Sequence, residues 1–86
     1  MDVFELLRLR GTRKILEELG EKGGVNYSEL VRVVGFSTTT TRALKRMEEF
    51  GIVEKRVLAK PYRPVEYSLT EKGKRLAEIV KKIDAL

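Results

Sequence analysis

The chain has no cysteine and no histidine. The first absence excludes a disulfide framework, a thiolate metal site and a thiol redox sensor. The second removes the commonest general base and the commonest transition-metal ligand. No apolar run approaches the length of a membrane span, and no secretory signal follows Met1. The expected address is therefore cytoplasmic, with no membrane partner and no cofactor. Glutamine is missing and asparagine occurs once, beside abundant Lys, Glu and Arg, a balance that leans toward a thermophilic source.

What is present is charge. Charged residues make up 36% of the 86 positions, with 18 Lys and Arg against 13 Asp and Glu, a net charge of +5. A basic balance suits a polyanion, nucleic acid first and an anionic membrane second, although a well-charged soluble surface would look the same. The length allows one domain, taken as 1–86, and leaves a single core marginal, so a partner chain is expected.

Asp2 and Glu5 have the spacing of a capping box, and apolar residues at helical spacing run on to Leu19. Gly11 interrupts them, so residues 2–20 read as one kinked helix or two short ones, ended by Gly20, Gly23 and Gly24. Val25 suits a very short strand, and Asn26 with Glu29 opens a second helix that stops at Gly35. Ser37 is the expected N-cap of a third helix, in which Thr40, Ala43, Leu44, Met47 and Phe50 share one face before Gly51. Segments 52–58 and 65–69 are rich in β-branched residues and flank "AKPYRP", whose prolines stiffen a loop. Thr70 caps a last helix with an apolar stripe of Leu76, Ile79, Val80, Ile83 and Leu86. The fold class is α+β: a three-helix core, a β-hairpin wing and a C-terminal dimerisation helix, in the order of a winged helix-turn-helix.

"GFSTTTTRALKRMEEFGIVEKR" resembles the helix-turn-helix of winged-helix transcription regulators. "YRPVEYSLTEKGKRL" resembles the wing strand and following helix start of the HxlR and PadR-like groups, and "YSELVRVV" extends the likeness upstream. The first two stretches span Gly35 to Leu76. The N-terminal segment lacks the Trp common in that family, and the regulatory Cys of its redox-responsive members is absent. The resemblance implies a homodimer that places a recognition helix in each major groove and a wing along backbone or minor groove.

The residues support those parts separately. On helix 38–50 the face opposite the core carries Thr38, Arg42, Lys45 and Glu49, with Thr39, Thr41 and Arg46 on its flanks. Ser37 and the first threonines offer hydroxyls at a helix start that already attracts phosphate, and Arg42 sits where a guanidinium could fork onto guanine. Lys45 and Arg46 suit phosphate. Four small side chains also let the helix approach a duplex closely. The bland alternative makes Ser37 a cap, Thr40 a core residue and Arg42 a solvated face. In wing 59–64, Lys60, Tyr62 and Arg63 are held between two prolines with Arg56 nearby; the alternative is a proline-rich turn whose charges prevent aggregation. Val3, Phe4 and Leu7, with Leu76, Ile79, Val80, Ile83 and Leu86, exceed what a small core needs and suit a dimer interface.

The leading expectation is a dimeric, sequence-specific double-stranded DNA-binding regulator, a repressor, with its effector unknown. The alternatives are a winged-helix protein-interaction module and a sequence-neutral chromosome-binding protein. Glu17, Glu18, Glu48, Glu49 and Tyr67 form no nucleophile–base pair, so an enzyme is not expected.

Overall fold

Three helix starts are set by a side chain that accepts a backbone N–H three residues on. Asp2 accepts from Glu5 at 2.9 Å, Asn26 from Glu29 at 2.8 Å and Thr70 from Gly73 at 3.1 Å. Each satisfies a donor that the first helical turn leaves unpaired. A computed structural model of the chain describes residues 1–59, 61 and 64–86. The three caps open α1 (Val3–Arg8), α3 (Tyr27–Val34) and α5 (Glu71–Asp84), while α2 (Thr12–Lys22) and α4 (Ser37–Glu49) begin without a side-chain cap.

The N-terminal segment is two helices. Gly11 takes φ +88°, a left-handed conformation that glycine adopts without strain, and turns the chain between α1 and α2. The second helix passes through Gly20, where a side chain would only meet Ala77, and stops at Gly23 rather than Gly20. The expected N-cap at Ser37 also shifts. Phe36 is the extended residue at that position, so Ser37 is the first residue of α4 and its hydroxyl caps nothing.

Three short strands, β1 (Val25–Asn26), β2 (Val53–Val57) and β3 (Val65–Leu69), form an antiparallel sheet with β3 in the middle. Val25 lies opposite Tyr67, and Val53 opposite Leu69. Helix α2 is central, touching every other helix and both β1 and β3. Leu6, Ile15, Leu16, Leu19, Leu30, Leu44, Met47 and Ile52 are all buried around it. Each such burial is worth about 1.5–3 kcal/mol. Among the described residues no helix is long and apolar enough to cross a membrane.

The end of α4 is closed with unusual completeness. Gly51, at φ +72°, donates its N–H to the Glu48 carbonyl at 2.9 Å, and Ile52 donates to Met47 at 2.8 Å, the two bonds of a Schellman stop. The next carbonyls are met from the start of α5. Lys72 Nζ donates to the Phe50 carbonyl at 2.7 Å, the Thr70 hydroxyl donates to the Gly51 carbonyl, and the Thr70 N–H donates to Ile52 at 3.0 Å.

This approach is close enough that a Cβ on Gly73 would lie 2.1 Å from the Ile52 carbonyl oxygen. Gly73→Ala is therefore expected to destabilise the fold by about 2–4 kcal/mol, although alanine is the better helix former. Urea melts of the two proteins at equal concentration test this. A neutral or stabilising alanine would show that α5 does not need this contact.

Candidate nucleic-acid interface

The four consecutive threonines stand on four sides of α4, because successive helical residues are about 100° apart. Thr40 faces inward and is fully buried, and its hydroxyl donates to the Phe36 carbonyl at 2.7 Å. That bond removes the cost of burying an unpaired hydroxyl. Thr39 is half-buried, and its Cγ2 lies 3.3 Å from where a Cβ on Gly11 would stand. Thr41 turns to the other flank, where its Oγ1 and the Tyr27 hydroxyl are 2.7 Å apart. Thr38 is exposed, and among the described residues its hydroxyl has no partner within the chain.

Ser37, Thr38, Thr41, Arg42, Lys45 and Arg46 line one open hollow of about 500 Å³ on the outer side of α4. Six of the seven residues expected on a recognition face are thus brought together, while Thr39 lies outside the hollow. Tyr27 adjoins this group through Thr41 and, at 3.4 Å, through the Ser37 carbonyl. Sequence reading missed Tyr27 because it belongs to the preceding helix and no local spacing ties it to Thr41.

The cations of this face differ in how much of their charge is compensated. Arg46 Nη1 lies 3.0 Å from the Glu49 carboxylate on the same helix. Arg42 and Lys45 are exposed and make no ion pair among the described residues. Both groups of the Arg46–Glu49 pair are about half exposed, so its contribution to stability is small. Its effect on the field is larger, because it leaves the uncompensated positive charge on Arg42 and Lys45 in the middle of α4. Ahead of them, Ser37 and Thr38 stand in the first turn, where the helix dipole is positive and no acidic residue is present.

Behind the face, burial raises the Tyr67 phenol above its ordinary value, with the Glu48 carboxylate and Tyr27 adding to the shift. Tyr67 therefore stays neutral near neutral pH and supplies neither a nucleophile nor a charge. Among the described residues no group of His, Cys, Asp or Glu could hold a metal ion.

On the hairpin, Arg56 is exposed on β2 opposite Glu66 of β3. The other residues expected in the wing, Lys60, Tyr62 and Arg63, lie outside the described residues. The apolar residues expected at a dimer interface divide into two sets. Leu7, Leu76 and Val80 pack against the core, and Val3 is half-buried. Phe4, Ile79, Ile83 and Leu86 are exposed, from 54% for Ile79 upward.

Residues 6–86 match the family model described as HxlR-like helix-turn-helix. No curated protein sequence matches the chain. Among solved structures, the reduced form of the transcriptional regulator YodB from B. subtilis is similar, with a TM-score of 0.83 and 30% identity over 95% of this chain and 81% of that one. The transcriptional regulator SlyA gives 0.81 and 28%, over 95% of this chain and 59% of its own. A MarR transcriptional regulator from Methanosarcina mazei Go1 gives 0.78 and 32%, over 87% and 55% respectively. The chain thus covers most of YodB but less than two thirds of the other two.

Removing the acid from the outer face of α4 is expected to strengthen attraction to any polyanion. Glu49→Gln should bind heparin roughly fivefold more tightly near physiological salt. Glu17→Gln, the same charge change on the exposed side of α2, should move retention less. Equal shifts in the two variants would mean that net charge governs binding and the face does not.

Proposed function

Since the chain belongs to the HxlR-like helix-turn-helix family and is a DNA-binding transcription regulator, we propose that it acts as a homodimeric, sequence-specific repressor in the cytoplasm. The observation that carries this reading is the outer face of α4, where Thr38, Arg42 and Lys45 stand exposed together and the inward threonine is satisfied internally. Arg42 reads a guanine edge in the major groove through its two-pronged guanidinium. Thr38 sits at the helix start, where a hydroxyl can donate to phosphate or a methyl can meet thymine. Lys45 and Arg46 neutralise phosphate, and Ser37 and Thr41 complete the surface that approaches the duplex. The hairpin, with Arg56 and with Lys60, Tyr62 and Arg63 of the sequence between its strands, follows the backbone or the neighbouring minor groove.

The second copy is held by the apolar side chains that the single chain leaves in water, namely Phe4, Ile79, Ile83 and Leu86. Met1 and Lys72 line the same hollow, so the start of α1 and the start of α5 lie close enough to contribute to one surface. Repression requires only that a bound dimer occlude the promoter, which a small DNA-binding domain achieves without a further contact. The Lys-, Glu- and Arg-rich composition supports a thermophilic source for this regulator.

Selection from a random duplex pool near physiological salt is expected to enrich an inverted repeat. On that sequence Arg42→Ala should cost about 1–3 kcal/mol and relax the preference at one base pair per half-site. Uniform recovery of unrelated duplexes would replace the sequence reader with an architectural protein. No duplex recovery would point instead to a protein-interaction module. Ile83→Glu is expected to turn a dimer into a monomer by sedimentation at micromolar concentration. An unchanged dimer mass would place the interface elsewhere.

A further inference from the structure

We infer that Arg8 and Arg10, at the corner between α1 and α2, hold the DNA backbone on the side of α4 opposite the hairpin. This rests on the DNA-binding reading and adds a contact to it. The stretch from Arg8 to Lys14 contains four cations and no acid. Arg13 is engaged by Asp84 at the far end of α5. Arg8 and Arg10 are exposed and make no ion pair among the described residues.

The fold puts these two arginines beside the proposed DNA face. A Cβ on Gly11 would lie 3.1 Å from Val34 and 3.3 Å from Thr39, so the corner rests directly on the end of α3 and the first turn of α4. Thr39 and Thr41 leave α4 on opposite flanks. Thr41 is tied to Tyr27, and Tyr27 follows β1, which pairs with the hairpin strand β3. Helix α4 is therefore bracketed by the sheet on its Thr41 flank and by the arginine corner on its Thr39 flank. A helix lying in a major groove about 12 Å wide has a phosphate strand on each side. The hairpin serves one strand and the corner serves the other.

The distribution of charge agrees with this placement. Helices α1, α3 and α5 each carry a glutamate in the first turn, whereas α2 and α4 carry none. The two helices that begin without acid are the two that meet at the contact between Gly11 and Thr39. The partner of the corner is the phosphodiester backbone and not a base edge, because the arginines sit at the end of α1 and in the turn that follows it, beside the groove reader. Their contribution should be the same for every sequence.

The test measures the salt dependence of duplex binding by fluorescence anisotropy for the wild type and for Arg8→Ala/Arg10→Ala. Each phosphate contact contributes a slope of about 0.9 in log K against log salt, so the double variant should lose about 2 units of slope. Its ranking of competing sequences should not change. The Arg8→Lys/Arg10→Lys variant should recover most of the slope, which separates lost charge from a damaged fold. Neutral methylphosphonates placed beyond the read bases should weaken the wild type and leave the alanine variant unaffected. A wild type that binds with an unchanged slope in the alanine variant overturns the corner contact alone. A wild type without salt-dependent duplex binding overturns the DNA reading and the corner with it.

Discussion

The placement of the other elements depends on how the end of α4 is locked to the start of α5. The carbonyls of Phe50, Gly51 and Ile52 are the acceptors that a helix end and a tight turn would otherwise leave to water. All three are met by Lys72 and Thr70. Because Gly73 has no side chain, α5 can come close enough to make these bonds at once. The same few residues fix where α4 stops, where β2 starts and how α5 departs, so one polar corner sets three directions. Met47 and Ile52, joined by a backbone bond in the Schellman stop, are both buried beneath it. Displacing the corner would therefore cost core burial as well as hydrogen bonds.

Much of this was legible in sequence because the signals are local. Asp2, Asn26 and Thr70 act on an N–H three residues on, and the structure shows all three bonds. The inward stripe of α4 is likewise a matter of period, and Thr40, Ala43, Leu44 and Met47 are buried as expected. What could not be read are features whose other half lies far along the chain. Ser37 has the chemistry of a cap, but which residue is extended at a helix start is decided by how the preceding turn packs. Here that residue is Phe36. Thr39 and Thr41 look like equals in "TTTT". Gly11 stands against one and Tyr27 bonds to the other, so spacing within α4 could not distinguish them.

The tetrathreonine resolves a conflict that a uniform helix face would not have. A helix meant to enter a groove benefits from small outward side chains, whereas its other sides must still hold it in place. Threonine meets both needs with one residue type, since its hydroxyl can be satisfied internally and its methyl can pack. Thr40 takes the first role within its own helix, Thr41 takes it across to α3, and Thr39 packs beside Gly11. Thr38 is left with its hydroxyl facing outward at the positive end of the helix dipole. The β-branched residues cost some helix propensity, and their contacts to Phe36, Tyr27 and Gly11 offset it.

In the proposed dimer, rigidity at the corner becomes a condition for reading a fixed operator spacing. Helix α5 has 14 residues, which makes it about 21 Å long at 1.5 Å per residue. A rotation of roughly 10° at its start would shift its far end by about 3.7 Å, close to the rise of about one base pair. The exposed Ile79 and Ile83 lie toward that far end, where a second copy would take hold. A loose hinge at Gly73 would let two recognition helices slip by about a base pair relative to each other, and half-sites must recur at a set helical spacing to be read together. The bonds from Lys72 and Thr70 restrain that rotation, since turning α5 away from α4 would strip carbonyl acceptors of their partners. A corner built from backbone acceptors can thus do for orientation what apolar packing alone, being non-directional, does less well.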